Sequence, residues 1–197
     1  METSGEIYIS VHYKSDNYLD LRLTANSSTD DWNEAIAIYE DRMKGRYLDP
    51  IVELSHDVNK NGFAIMAIIC LLIECFYQFE NGRNSTEGMN REKYSQFLMS
   101  IFIRFGLQLN INDAEEFYKS IRCGILHQAQ TKNHSRLSSD NDSRIIYHNG
   151  KTLVVSVPKM IDLLHDYINN YTSRLRNQGE NVLRENFVKK MEVICKR

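Results

Sequence analysis

Residues 63–79 read FAIMAIICLLIECFYQF, and the reading of this apolar run decides the fold. Glu74 and Gln78 interrupt it. A membrane span needs about 20 predominantly apolar residues, and no second segment of that length pairs with this one. A helix apolar on all sides must be buried. The stretch therefore predicts a helix surrounded by other helices in a soluble core, and the rest of the chain is read as its surroundings.

Working outward, Asn61-Gly62 is expected to open this helix, and a short helical piece from Pro50 to His56 to precede it. Asp31 with Glu34 three residues on has the spacing of a helix cap for a helix over Trp32–Tyr47. On the other side, ENGRNSTEGMN (80–90) reads as a loop. Tyr94, Phe97, Leu98, Ile101 and Phe105 then recur at helical spacing, which predicts a helix over Arg91–Phe105. Asn112 with Glu115 predicts a further helix to about Gln130. Pro158 begins a helix ending near Gln178, and Asn181–Cys195 is amphipathic.

Two stretches alternate with a period of two. Ile7, Ile9, Val11 and Tyr13, followed by Leu19, Leu21 and Leu23, suggest a hairpin. Ile145 and Tyr147, then Asn149-Gly150, then Leu153, Val155 and Val157, give a stronger hairpin signal. Residues 131–143 are polar and read as a loop. The expected fold is an all-α helical bundle with one or two small β-hairpins. It comprises an N-terminal hairpin and linker (1–29), the bundle (30–178, with the hairpin at 144–157) and a C-terminal amphipathic helix (179–197).

The chain has 197 residues, 24 Lys or Arg against 26 Asp or Glu, 42% hydrophobic residues and two prolines. This is a globular composition, and the charge balance excludes a globally basic surface. The first ten residues lack the basic and apolar regions of a secretory signal, so a cytoplasmic protein is expected. Cys70, Cys75, Cys123 and Cys195 have no zinc-ligand spacing and read as free, mostly buried thiols. No cofactor and no metal is expected.

The average charge hides one segment. Ten acids lie between Asp16 and Asp57, whereas residues 117–139 contain none and carry Lys119, Arg122, Lys132 and Arg136, with His127 and His134. A basic stretch of this kind attracts phosphates. Within it, FYKSIRCGILHQAQTK (117–132) holds Arg122 and His127 as R-x-x-x-x-H near the end of a helix. At about 100° per residue the two lie roughly 140° apart on the helix wheel, too far for one stripe. The face between them mixes Leu126 and Cys123 with polar residues. That suits a contact with a second copy, which would bring two such pairs to one cleft.

The bundle with Arg122-Cys-Gly-Ile-Leu-His127 near the end of its last core helix resembles the HEPN superfamily, over roughly residues 30–178. Many members are metal-independent endoribonucleases, often toxins or antiviral defence effectors, whose R-x4-6-H motifs meet at a homodimer interface. Others are inactive binding modules. The resemblance implies that His127 transfers protons and Arg122 stabilises the phosphate, as catalytic residues of a ribonuclease. Imidazole titrates near neutrality and guanidinium stays charged. RNA and a second copy are then the expected partners, with a regulatory protein as a further one, and Lys119, Lys132 and Arg136 are the RNA-binding candidates. Active members commonly carry a polar residue after the motif arginine, where this chain has Cys123, and some a tyrosine where it has Ala129. A catalytically inactive HEPN-like dimerisation or nucleotide- or partner-binding module is the alternative.

Among the other side chains, Glu74 reads as a core carboxylate paired to Arg or Tyr. Tyr118 falls on the core face and reads as packing. Arg144, His134 and His148 read as surface positions beside the loop and hairpin.

Overall fold

The computed structural model describes residues 7–140 and 143–196. It is predominantly helical, with elements α1 (Ser15–Leu19), α2 (Thr29–Met43), α3 (Asp49–Leu54), α4 (Val58–Asn81), α5 (Arg91–Arg104), α6 (Ile111–Glu116), α7 (Cys123–Gln128), α8 (Val157–Arg176) and α9 (Asn181–Cys195). Strands β1 (Arg136–Ser138), β2 (Ile146–Asn149) and β3 (Thr152–Ser156) form one small sheet. Two π-helical turns interrupt the helices, at Lys44–Leu48 and Phe117–Arg122.

The local chemistry explains where the elements begin. Ser28 Oγ accepts from Asp31 N while Asp31 Oδ2 accepts from Ser28 N, so α2 is capped three residues before the Asp31/Glu34 reading. Asn61-Gly62 does not open α4. Asp57 Oδ1 accepts from Lys60 N and starts the helix at Val58, while Gly62 is buried beside Val157 and Leu137. Asn90 Oδ1 accepts from Lys93 N at the start of α5, and Asn110 Oδ1 accepts from Asp113 N at the start of α6, two residues before Asn112.

The N-terminal hairpin is not formed. The alternation at Ile7–Tyr13 yields one antiparallel bridge, Tyr8 with Lys14, and Leu19–Leu23 provides no second strand. The reason is local: Lys14 N donates to Asn17 Oδ1, which starts the short helix α1 where the turn was expected. The second hairpin is present as β2–β3, with Tyr147 opposite Val154 and Asn149 opposite Thr152. Its two-residue loop is Gly150-Lys151, with Gly150 at φ +61°, one residue later than the Asn-Gly reading. Strand β1 lies within the stretch read as a loop and pairs in parallel with β3, which places β3 between β1 and β2.

The chain gathers into two compact units. The first comprises Met1–Pro50, Gln78–Ser85 and Ile168–Arg197. Its core is an aromatic cluster in which the Tyr39 ring lies 4.9 Å from Phe79, 5.5 Å from Tyr171 and 5.7 Å from Phe187. Each such contact adds about 0.5–1.5 kcal/mol beyond area burial. The second unit comprises Ile51–Tyr77 and Thr86–Tyr167. There Phe76 stacks on Tyr167 at 4.2 Å, and Tyr94 packs against Phe117 and Tyr118. Both elements of the R-x-x-x-x-H motif and the whole sheet belong to this second unit.

The helical run containing α4 includes a window of mean hydropathy 2.0, long and apolar enough to cross a membrane, and half of that window is buried within the fold. Ile65, Met66, Ile69, Leu72, Ile73 and Phe76 are covered, whereas Phe63 and Leu71 are exposed.

Candidate functional site

The motif sits where a π turn meets an α turn. Phe117–Arg122 is π-helical and Cys123 N donates to Tyr118 O across five residues, after which α7 carries His127. Single π turns within helices recur at functional sites because they change the direction of the side chains that follow. Arg122 Nη1 stands 3.3 Å from His127 Nε2, so the two side chains meet despite their separation on the wheel.

Arg122 is held in place by Glu74 of α4, on the buried helix. Its Nε donates to Glu74 Oε1 at 2.8 Å and its Nη2 to the same oxygen at 2.6 Å. Both side chains are largely covered, at 18% and 13% exposure. Burial works against the charge on Arg122, but the hydrogen bonds and field of Glu74 outweigh it and hold the guanidinium well above its ordinary pKa. The pairing of Glu74 with an arginine agrees with its reading from the sequence, and the sequence had no means of naming Arg122 as the partner 48 residues away.

Two donors of Arg122 are thus committed, and Nη1 faces His127 and, at 3.8 Å, Cys123 Sγ. A guanidinium N–H can only donate, so in this contact His127 Nε2 is the acceptor. The imidazole lies beside a fixed cation and is exposed to solvent. Tyr118, read as a core residue, is half-buried, with the Arg122 guanidinium carbon 5.3 Å from its ring centroid. Its ring packs 5.2 Å from that of Tyr94, at the edge of the core. Desolvation, with Cys123 next to it, raises the Tyr118 pKa, so its hydroxyl stays protonated at neutral pH.

The chain beyond α7 closes over this turn. Ala129 takes up a left-handed conformation at φ +53° and ends the helix. The backbone then returns across Gly124, where a Cβ would stand 2.4 Å from Gln130 O. Only glycine permits this approach. Lys132 N donates to Ser120 O at 2.9 Å and Asn133 Nδ2 to Ser120 Oγ at 3.0 Å, fastening the returning chain to the π turn.

The basic candidates are placed differently. Lys119 is exposed 3.9 Å from Glu115, which also pairs with Arg91 at 3.3 Å, so the fold brings acids to a segment that has none in sequence. Lys119, Ser120 and Asn133 border one hollow of about 300 Å³ with Asn112, Glu115 and Glu116. Lys132 is half-buried at the edge of the returning chain. Arg136 is exposed on β1, and no hydrogen bond or ion pair joins it to the motif pair. Cys70 is buried beneath the site, and burial pushes its thiol pKa up to about 12, which leaves it protonated and inert. Among the described residues no group of three or more His, Cys, Asp or Glu side chains is arranged to hold a metal ion.

Comparison with known proteins finds no match among protein-family models, curated proteins or solved structures.

Proposed function

We propose that the chain is a metal-independent endoribonuclease of HEPN type, acting as a homodimer in a toxin or defence setting. The observation that carries this reading is the contact of Arg122 Nη1 with His127 Nε2 at an exposed helix end, with the arginine anchored by Glu74. In the reaction, His127 Nε2 takes the proton from a ribose 2′-hydroxyl, whose oxygen attacks the adjacent phosphorus. Arg122 Nη1 donates to a non-bridging phosphate oxygen as negative charge builds there. The bond to the 5′-oxygen breaks, and that oxygen takes a proton from an imidazolium, the counterpart of His127 in the second copy. The products are a 2′,3′-cyclic phosphate and a 5′-hydroxyl. Leu126, 40% exposed beside His127, and Phe63 and Leu71, exposed two turns apart on α4, offer the apolar surface for the second copy. Lys119 and Lys132 extend the cationic surface along the RNA backbone, and a protein partner that covers the motif would restrain the activity.

One observation favours the alternative of an inactive binding module. Glu74 occupies two of the Arg122 donors, and Cys123 adds no polar side chain to replace them. The deciding experiment incubates the purified protein with single-stranded RNA in EDTA. Cleavage is expected to leave cyclic phosphate ends and to fall at least a hundredfold in Arg122→Ala and His127→Ala, with both variants folded by circular dichroism. Undiminished cleavage in His127→Ala would overturn the assignment of the site. Absence of cleavage by the wild-type dimer would establish the module.

A further inference from the structure

The two atoms that the proposed reaction needs are joined to each other. His127 Nε2 has to accept the 2′-hydroxyl proton and Arg122 Nη1 has to reach the phosphate, yet here each is the other's partner at 3.3 Å. The acceptor nitrogen of an imidazole has a single lone pair, so it takes no proton while that pair is engaged. The rest of the guanidinium is nearly spoken for. Nε–H and one N–H of Nη2 go to Glu74 Oε1, and Nη1 also faces Cys123 Sγ at 3.8 Å. That leaves one N–H of Nη2, which none of the described residues accepts.

The two partners are held unequally. Arg122 is anchored by Glu74 and its side chain is 18% exposed. His127 is exposed in the last turn of α7, and Arg122 is its one bonding partner among the described residues. A separation of 3.3 Å lies at the long end for an N–H donor, and a thiol is a weak acceptor. A phosphate oxygen instead accepts from a guanidinium in a charge-assisted bond, shorter and about twice as strong, and the planar fork takes two such oxygens side by side. In a competition for Nη1 the phosphate prevails. The ring that swings away is the one with nothing else to hold it.

We propose that the Arg122–His127 contact is a self-block on the motif and that the phosphodiester of the substrate opens it. The phosphate takes Nη1 together with the remaining N–H of Nη2. His127 then turns from the guanidinium, and its Nε2 becomes free beside the 2′-hydroxyl. The base is thus engaged until a phosphate enters the site, which keeps the motif at rest without RNA. The inference rests on the ribonuclease reading for what the opening achieves. The opening itself follows from two acceptors competing for one donor, and the same competition means that removing the histidine strengthens phosphate binding.

The test uses the full chain with isotopically labelled histidine, followed by nitrogen NMR at neutral pH. The probe is a single-stranded DNA hexamer, which carries the phosphodiester but no 2′-hydroxyl, so that nothing is cleaved. Titration is expected to shift the His127 Nε2 signal saturably in the wild type and to leave it unmoved in Arg122→Ala. His127→Ala, folded by circular dichroism, should bind the hexamer about threefold more tightly than the wild type, the worth of one neutral hydrogen bond. Saturable binding with an unmoved wild-type Nε2 signal would overturn the proposal, because the contact would then persist in the complex. Weaker binding by His127→Ala would overturn it by making the imidazole part of the phosphate site, and no binding at about one millimolar hexamer would end it. These readouts are independent of cleavage. A shifted Nε2 signal in a protein that leaves RNA intact would end the ribonuclease reading and keep the self-block as the gate of a phosphate-binding module.

Discussion

Arg184 in the first unit and Arg122 in the second are both drawn from water beside an aromatic ring, and they use their donors in opposite ways. Arg184 lies 4.5 Å from the Trp32 ring and gives Nε to Leu175 O, Nη1 to Ala25 O and Nη2 to Arg176 O. Every one of those acceptors is a backbone carbonyl, two of them the orphaned carbonyls at the end of α8. With no carboxylate beside it, burial lowers its pKa. Arg122 has a carboxylate partner on one side and an exposed imidazole on the other. Side chains fully engaged by backbone fix a fold. One held firmly on a single edge, with the other edge turned to an exposed base, has the form of a group held ready for a ligand.

This contrast can be broken by substitution, and the largest effect belongs to the first unit. Arg184→Ala leaves three carbonyls without their donor and a void beneath Trp32, and should cost about 3 kcal/mol in urea denaturation. A loss under about 1 kcal/mol would mean that water replaces the guanidinium without penalty. The next effect is at the motif turn. Gly124→Ala gains helix propensity of up to about 1 kcal/mol, but its Cβ meets the Gln130 carbonyl, and the clash should win by about 2 kcal/mol overall. The same variant should displace His127 and reduce any RNA cleavage along with stability. The smallest effect is Glu74→Gln, which keeps shape and acceptor and removes only the charge. It should cost about 1 kcal/mol of stability and lower RNA cleavage less than Arg122→Ala does. A Glu74→Gln protein as impaired as Arg122→Ala would move the carboxylate from a positioning role into the reaction.

The sequence carried the helices well because their signals are local. The apolar period of α4, α5, α8 and α9 and the hairpin around Gly150 need only neighbouring residues to be read. What it hid depends on distance or on an irregular backbone. Strand β1 is three residues long, and only its pairing with Val154, Val155 and Ser156 makes it a strand. The contact of Arg122 with His127 was hidden because a wheel places backbone positions and not the ends of long side chains, which here meet at 3.3 Å. Glu74 could be read as a paired core carboxylate, whereas its partner follows only from packing α4 against the motif helix. Arg144 and His148 looked like ordinary surface positions because the groove they line is formed by the turn from α5 to α6, more than thirty residues earlier.

The strand order also bears on the sequence of folding events. Strand β3 is the last of the three to be synthesised and the one in the middle, so neither outer strand has a partner before it arrives. The β2–β3 hairpin, joined by two residues, is a microsecond event. The parallel pairing of β1 must close a longer loop around that hairpin and is the slower step. The returning chain that covers Gly124 and ties to Ser120 is anchored on one side by α7 and on the other by β1. Until the sheet is complete, only one of those anchors exists, and a partly folded chain leaves the turn at Gly124 and Ser120 without its cover.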